Sequence, residues 1–230
     1  MKKNRKKSTP RKLIGGLLCM GAALAPVSWA QADTPIDFTI SEGRVVPSED
    51  FAVKVSVLGA AITSSGNDIP VTVQVRINDQ VLEPFGPHND PDLGDVNDHS
   101  PPKHFIVQDV FGPDTTIDVT GTSWYHGHVY LSRNSFDQSP SVKVLRDGDP
   151  VPNIAGFDGQ AGAVEFVQQY IDPDTNTMTM DVNQSIYLFE LGTTNLSSSA
   201  ADFQDLVVLV TLGKTPQELE EGDLADASYD

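Results

Sequence analysis

The sequence predicts a mostly β protein, an antiparallel β-sandwich of the Ig-like or jelly-roll-like kind with one short helix near residues 161–171. Short runs alternate apolar and polar residues at a period of two, the pattern of a strand with one buried face. The runs are separated by Asn, Asp, Gly and Pro, the residues that turns require. No repeat of 20 to 50 residues is visible, which argues against a solenoid or propeller.

Residues 51–58 set Phe51, Val53, Val55 and Val57 against Ala52, Lys54 and Ser56, a strand with one face in a core. Residues 71–77 repeat the pattern with Val71, Val73, Val75 and Ile77, and Asn78-Asp79 then turns the chain into a partner strand over 80–85. Further strands are predicted over 104–110, 116–120, 123–131, 141–145, 177–182, 185–191 and 205–212. Ala163, Phe166, Val167, Tyr170 and Ile171 recur at helical steps before Pro173 and predict the single helix. Residues 215–230 hold Glu218, Glu220, Glu221, Asp223, Asp226 and Asp230 with few large apolar residues, a composition expected to leave the tail disordered.

Residues 1–30 read as a cleavable signal peptide: a basic stretch, an apolar stretch from 13 to 27, and small residues at Ser28-Trp29-Ala30. The apolar stretch is interrupted by Gly15, Gly16 and Gly21 and is too short for a bilayer span, so no transmembrane segment is expected after processing. Cleavage near Ala30 would discard Cys19 and leave residues 31–214 as one cysteine-free domain, secreted or otherwise extracytoplasmic, in the periplasm or at the cell surface. Residues 1–30 carry seven basic residues and no acid, so the rest of the chain sets 8 basic residues against 32 acidic ones. Such a surface repels nucleic acid and anionic lipid. The partner it suits is one at the cell surface or in a matrix.

Two strands near the end flank one loop. Glu190 follows Ile186-Tyr187-Leu188-Phe189, and Asp202-Phe203-Gln204-Asp205 precedes Leu206-Val207-Val208. Glu190, Asp202 and Asp205 would converge at the sheet end and offer the hard oxygen donors that Ca²⁺ prefers. Alternatively, Asp202 caps a turn and Asp205 marks where a buried strand meets water. The Asp-Phe-Gln-Asp-apolar run resembles the last strand of a loose group of exported bacterial β-sandwich domains of unassigned function, whose pattern is Asp-Phe/Tyr-x-Asp followed by apolar residues. That resemblance covers the last quarter of the chain and implies a secreted sandwich with these acids as Ca²⁺ ligands. Ser197, Ser198, Ser199 and Ala200 stand where members carry further acids or Gly, which implies weak binding.

Other clusters offer alternatives. Residues 89–98 are rich in Asp and Asn, but counted from Asp90 the sixth position is Asp95 rather than Gly and the twelfth is Pro101 rather than Glu, so no EF-hand is present. Asp172-Pro173-Asp174-Thr175-Asn176 fails the same test, and both read as turns. His126 and His128, two apart in an expected strand, would point the same way and begin a Zn²⁺ or Cu²⁺ site completed by His104, His88 or His99. Trp124 and Tyr125 would stack on a sugar in a glycan-binding module, or Trp124 would lie in the core. No nucleophile elbow, His-Glu-x-x-His helix or phosphate loop occurs, so a non-catalytic module is the expected class.

Overall fold

Strands β1 (Phe38–Ser41) and β2 (Arg44–Pro47) form a hairpin turned at Glu42 and Gly43, whose φ angles of 52° and 75° are left-handed. Glycine is required at the second position, because a Cβ on Gly43 would stand 1.9 Å from the Ser135 carbonyl oxygen. The computed structural model describes residues 35–98, 100–152, 166–198 and 200–226, with side chains as far as Glu221. The expected signal peptide, His99 and the first part of the expected helix lie outside the described residues.

Strand β3 (Ala52–Gly59) is followed by a small hairpin of β4 (Thr63–Ser64) and β5 (Asn67–Asp68), then by the hairpin of β6 (Val71–Ile77) and β7 (Gln80–Leu82). One helical turn, α1 (Pro91–Gly94), is capped by the Asp90 carboxylate, which accepts the Asp92 N–H at 3.1 Å. After β8 (Lys103–Ile106) come the paired strands β9 (Ile117–Tyr125) and β10 (His128–Asn134), then β11 (Val142–Arg146). A two-stranded ribbon of β12 (Ile171–Asp172) and β13 (Thr177–Met178) precedes β14 (Gln184–Phe189), β15 (Leu206–Gly213) and helix α2 (Pro216–Asp226).

Two antiparallel sheets make the sandwich. One runs β1-β2-β9-β6-β7, with β10 also paired to β9; the other runs β11-β14-β15-β3-β8. The core between them takes Val71, Val73, Val75 and Ile77 from β6, Val53, Val55 and Val57 from β3, and Val208, Val210 and Leu212 from β15. Each such side chain contributes roughly 1.5–3 kcal/mol on burial. Strand β15 is apolar at nearly every position because its other face is covered too: Val207 and Leu209 join Ile186, Leu188, Met178 and Phe203 in a second cluster. The sheets are packed tightly at Gly121, where a Cβ would lie 2.7 Å from Leu206 Cδ2 and 3.2 Å from Leu191 Cδ1. Gly121→Ala is therefore expected to overpack the core at a cost of about 1–3 kcal/mol, read as a lower thermal midpoint; an unchanged midpoint would show that the sheets separate freely.

Several elements differ from expectation. Residues 116–131 are not two strands broken at Gly121 but one long strand and a hairpin, with His126 and Gly127 at φ 53° and 76° forming the turn. Of the helix expected at 161–171, the described part is helical at Phe166 and Val167 and tightens to a 3-10 turn over Gln168–Tyr170, and Ile171 already belongs to a strand. Residues 177–182 keep only a two-residue strand. The tail expected to be disordered over 215–230 is helical from Pro216 to Asp226. Thr215 Oγ1 accepts the Glu218 N–H at 3.2 Å, Glu218 Oε2 accepts the Lys214 N–H at 2.7 Å, and Pro216 fits the first helical position. Leu219 is buried in the space that Gly213 leaves, which anchors the helix to β15. No helix among the described residues is long and apolar enough to cross a membrane.

Candidate functional site

The end of β14 and the start of β15 leave the second sheet side by side, with Phe189 paired to Leu206, so the residues just beyond each strand are forced together. Glu190 is 0 % exposed, Asp205 4 % and Asp202 5 %. All three acids lie inside the protein rather than in water, and Glu190 and Asp205 share the Gly192 N–H. Asp205 Oδ2 accepts the N–H groups of Leu191 at 2.5 Å and Gly192 at 2.7 Å. Glu190 Oε1 accepts from Gly192 at 3.0 Å and Thr193 at 2.8 Å, while its Oε2 accepts the Phe203 N–H at 3.4 Å. The two carboxyls thus hold both ends of the loop 192–205. Between those ends the loop is built from local bonds in which Thr193, Asn195 and Ser198 side chains accept backbone N–H groups two residues on.

Burial disfavours a second negative charge here. Removal from water, followed by the charge of Glu190 and a hydrogen bond between the two carboxyls, pushes Asp205 up to about 9 from its ordinary 3.8. Asp205 therefore keeps its proton at neutral pH. Asp202 is also raised, by burial first and by Glu190 second, although Gln204 donates to it from its backbone N–H and from its Nε2 at 2.8 Å. No Lys or Arg pairs with any of the three among the described residues. Lys143 Nζ lies over the Phe203 ring, 5.6 Å from its centre.

The donor chemistry suits Ca²⁺, but the arrangement is not preformed for it: among the described residues no three His, Cys, Asp or Glu side chains are grouped to hold a metal ion. The same holds for the histidines. His126 sits in the turn and His128 opens β10, so they are not neighbours on one strand face. His126 packs edge-on against Tyr125, with ring centres 4.1 Å apart. His104 Nδ1 lies 2.8 Å from Ser56 Oγ, and His88 pairs with Glu83 and meets Gln74. The acidic stretch 89–98 is turn scaffolding. Asp95 Oδ1 accepts the Val71 and Asn97 N–H groups at 2.9 and 2.8 Å, and a hydrogen bond from Lys103 holds Asp98 down at about 2. Asp172 likewise accepts from Asp174 and Thr175 in a local turn.

Trp124 and Tyr125 part company, as alternation along a strand requires. Trp124 is buried and its Nε1 donates to Thr72 Oγ1 at 3.0 Å, whereas Tyr125 is 45 % exposed. Tyr125 is flanked by two clefts of about 270 and 280 Å³ that share Ser64, Ile69 and Tyr125. Tyr130, also half exposed, lines the second cleft, and its ring centre lies 6.3 Å from that of Tyr125.

A buried charge network unread in the sequence lies on the other sheet. Asp118, 2 % exposed, faces Arg76 Nε at 3.3 Å, Arg44 Nε at 3.7 Å and Asn134 Nδ2 at 3.1 Å. Both guanidiniums lie over the Phe136 ring, 4.5 and 4.7 Å from its centre. Polar alternation within β6 and β9 places Arg76 opposite Asp118 in the ladder, the one signal that would have found it. Compared with known protein families, with curated proteins and with solved structures, the chain matches none.

Proposed function

We propose that the protein is a non-catalytic, extracytoplasmic β-sandwich module with a cell-surface or matrix role, in which Ca²⁺ competes weakly with a shared proton for Glu190, Asp202 and Asp205. The observation that supports this reading is the burial of three carboxyls at one sheet end, with no Lys or Arg paired to them among the described residues. Carboxylates in that position need a positive species between them. A proton serves one pair; a hard divalent ion would serve all three.

Binding costs the ion the amide hydrogen bonds that Glu190 and Asp205 now accept, so its affinity belongs with extracellular modules, with dissociation constants of about 10⁻⁴ to 10⁻³ M. Ca²⁺ at ten times its dissociation constant adds roughly 1.4 kcal/mol. That corresponds to about 3–5 °C in the melting midpoint of a domain this size. Because the ion displaces a proton, the shift should be larger near pH 9 than near pH 6. Thermal melts with millimolar CaCl₂ and with chelator, on the wild type and on Glu190→Gln, test this. A calcium shift that Glu190→Gln abolishes is the expected result. No shift at either pH, or a shift that Glu190→Gln leaves intact, would remove calcium from the proposal.

A further inference from the structure

The β4–β5 and β9–β10 hairpins stand on either side of Tyr125, and both end in two-residue turns with positive φ. Ser65 and Gly66 have φ 52° and 80°, and His126 and Gly127 have 53° and 76°. Such turns match the twist of their strands and leave little freedom at the tip. Between them Tyr125 presents about half its surface to solvent, with Tyr130 beside it at 51 % and Val129 at 54 %. A cluster of open aromatic rings on rigid hairpins, with clefts on both sides, is not needed to hold the sandwich together, because the strand behind it is already fixed by buried Trp124 and its bond to Thr72.

We infer that this face is a binding site for a neutral polysaccharide, with Tyr125 and Tyr130 as stacking platforms and the β4–β5 hairpin as the polar wall. The first cleft sets Tyr125 against Ser64, Ser65 and Asn67, hydroxyl and amide groups with both donor and acceptor capacity. A pyranose ring has a matching make-up, one face of C–H groups and an equatorial rim of hydroxyls. The two clefts adjoin at Ser64 and Tyr125, which gives room for consecutive sugar units rather than a single one. Charge decides among the glycans. The strongly acidic chain repels uronates and sulfated polymers; Asp68 stands with His126 in the first cleft, and among the described residues no Lys or Arg lines either one. Preformed walls lower the entropy cost of fixing a chain, so the affinity rests on stacking rather than on loop ordering.

The inference stands apart from the calcium reading, although Gly192, whose N–H donates to Glu190 and Asp205, lies in the wall of the second cleft. Affinity electrophoresis of the purified chain through gels containing xylan, β-glucan, mannan or dextran, with alginate as the anionic control, tests it in chelator and again in CaCl₂. Retardation by at least one neutral polymer in chelator is expected, with none by alginate. Tyr125→Ala and Tyr130→Ala should each weaken it at least tenfold at an unchanged melting midpoint, while Tyr125→Phe retains it. Failure of every neutral polymer to retard the chain in either buffer, retardation that survives both alanine substitutions, or retardation by alginate alone would overturn the assignment. Retardation only in CaCl₂ would overturn the independence from calcium, and a calcium-insensitive melt with intact retardation would sink the calcium reading alone.

Discussion

Asp118→Ala is expected to lower the midpoint of thermal unfolding by about 6–12 °C. Among the described residues the carboxylate is the one counter-charge for Arg44 and Arg76, which the packing over Phe136 holds near each other, and it also accepts from buried Asn134 Nδ2. Removing it leaves two like charges side by side and Asn134 Nδ2 with only its bond to Thr120 Oγ1 among the described residues. Breaking a buried pair in this way costs about 3–5 kcal/mol, and the lower end applies because each guanidinium keeps about a third of its surface in water. At roughly 2–4 °C per kcal/mol for a domain of this size, the stated range follows. Arg44→Ala and Arg76→Ala should each do less harm, since Asp118 keeps the other guanidinium. A midpoint within 2 °C of wild type for Asp118→Ala would mean that solvent already screens the network and that it contributes nothing measurable.

The parts of the fold that were legible are those whose faces differ in environment. Strand β6 alternates because it lies in a sheet with one face toward the core, and its limits match expectation. Strand β15 is legible as a strand but not as one buried on both faces, because an unbroken apolar run also suits a buried helix. The hairpin of β9 and β10 was hidden because His is an unusual first residue for a turn of this type, although Gly127 marked its second position. The helical tail was hidden by its charge. Thr215-Pro216-Gln217-Glu218 is a cap signature, and one buried leucine is enough to dock it. At the candidate site, spacing sufficed to bring Glu190 toward Asp202 and Asp205, because the last two strands had to be neighbours. Their depth was not readable, since it depends on how the loop 192–205 folds back over them. The two clefts were less accessible still: Tyr125 was in view, but Tyr130 comes beside it through the β9–β10 hairpin and Ser64 from the separate β4–β5 hairpin.

Raising the pH from about 6 to about 9 is expected to lower the melting midpoint by roughly 5–10 °C, and Asp205→Asn should remove most of that loss. The unfolded chain releases the Asp205 proton near its ordinary value of 3.8, whereas the folded protein keeps it until about 9. Between those limits the folded state holds one more proton than the unfolded one, so each step up in pH favours unfolding. Above about 9 the two states are both ionised there and the dependence flattens. Asp202, also raised by burial, acts in the same direction. Asp98 acts oppositely, but only below its ordinary 3.8, where the Lys103 bond is lost as the carboxyl protonates toward about 2. The amide variant is the deciding comparison, because it alters Asp205 alone. Asparagine can still accept from the Leu191 and Gly192 N–H groups through its carbonyl oxygen and donate to Glu190 through its amide, which preserves the clasp without a proton to lose. A wild-type midpoint that stays level from about 6 to about 9, or an Asp205→Asn protein that declines as steeply as wild type, would mean that the Asp205 proton does not hold the loop. If CaCl₂ then restores the wild-type midpoint near pH 9 but does nothing for Asp205→Asn, the ion and the proton occupy the same place between the same two carboxyls.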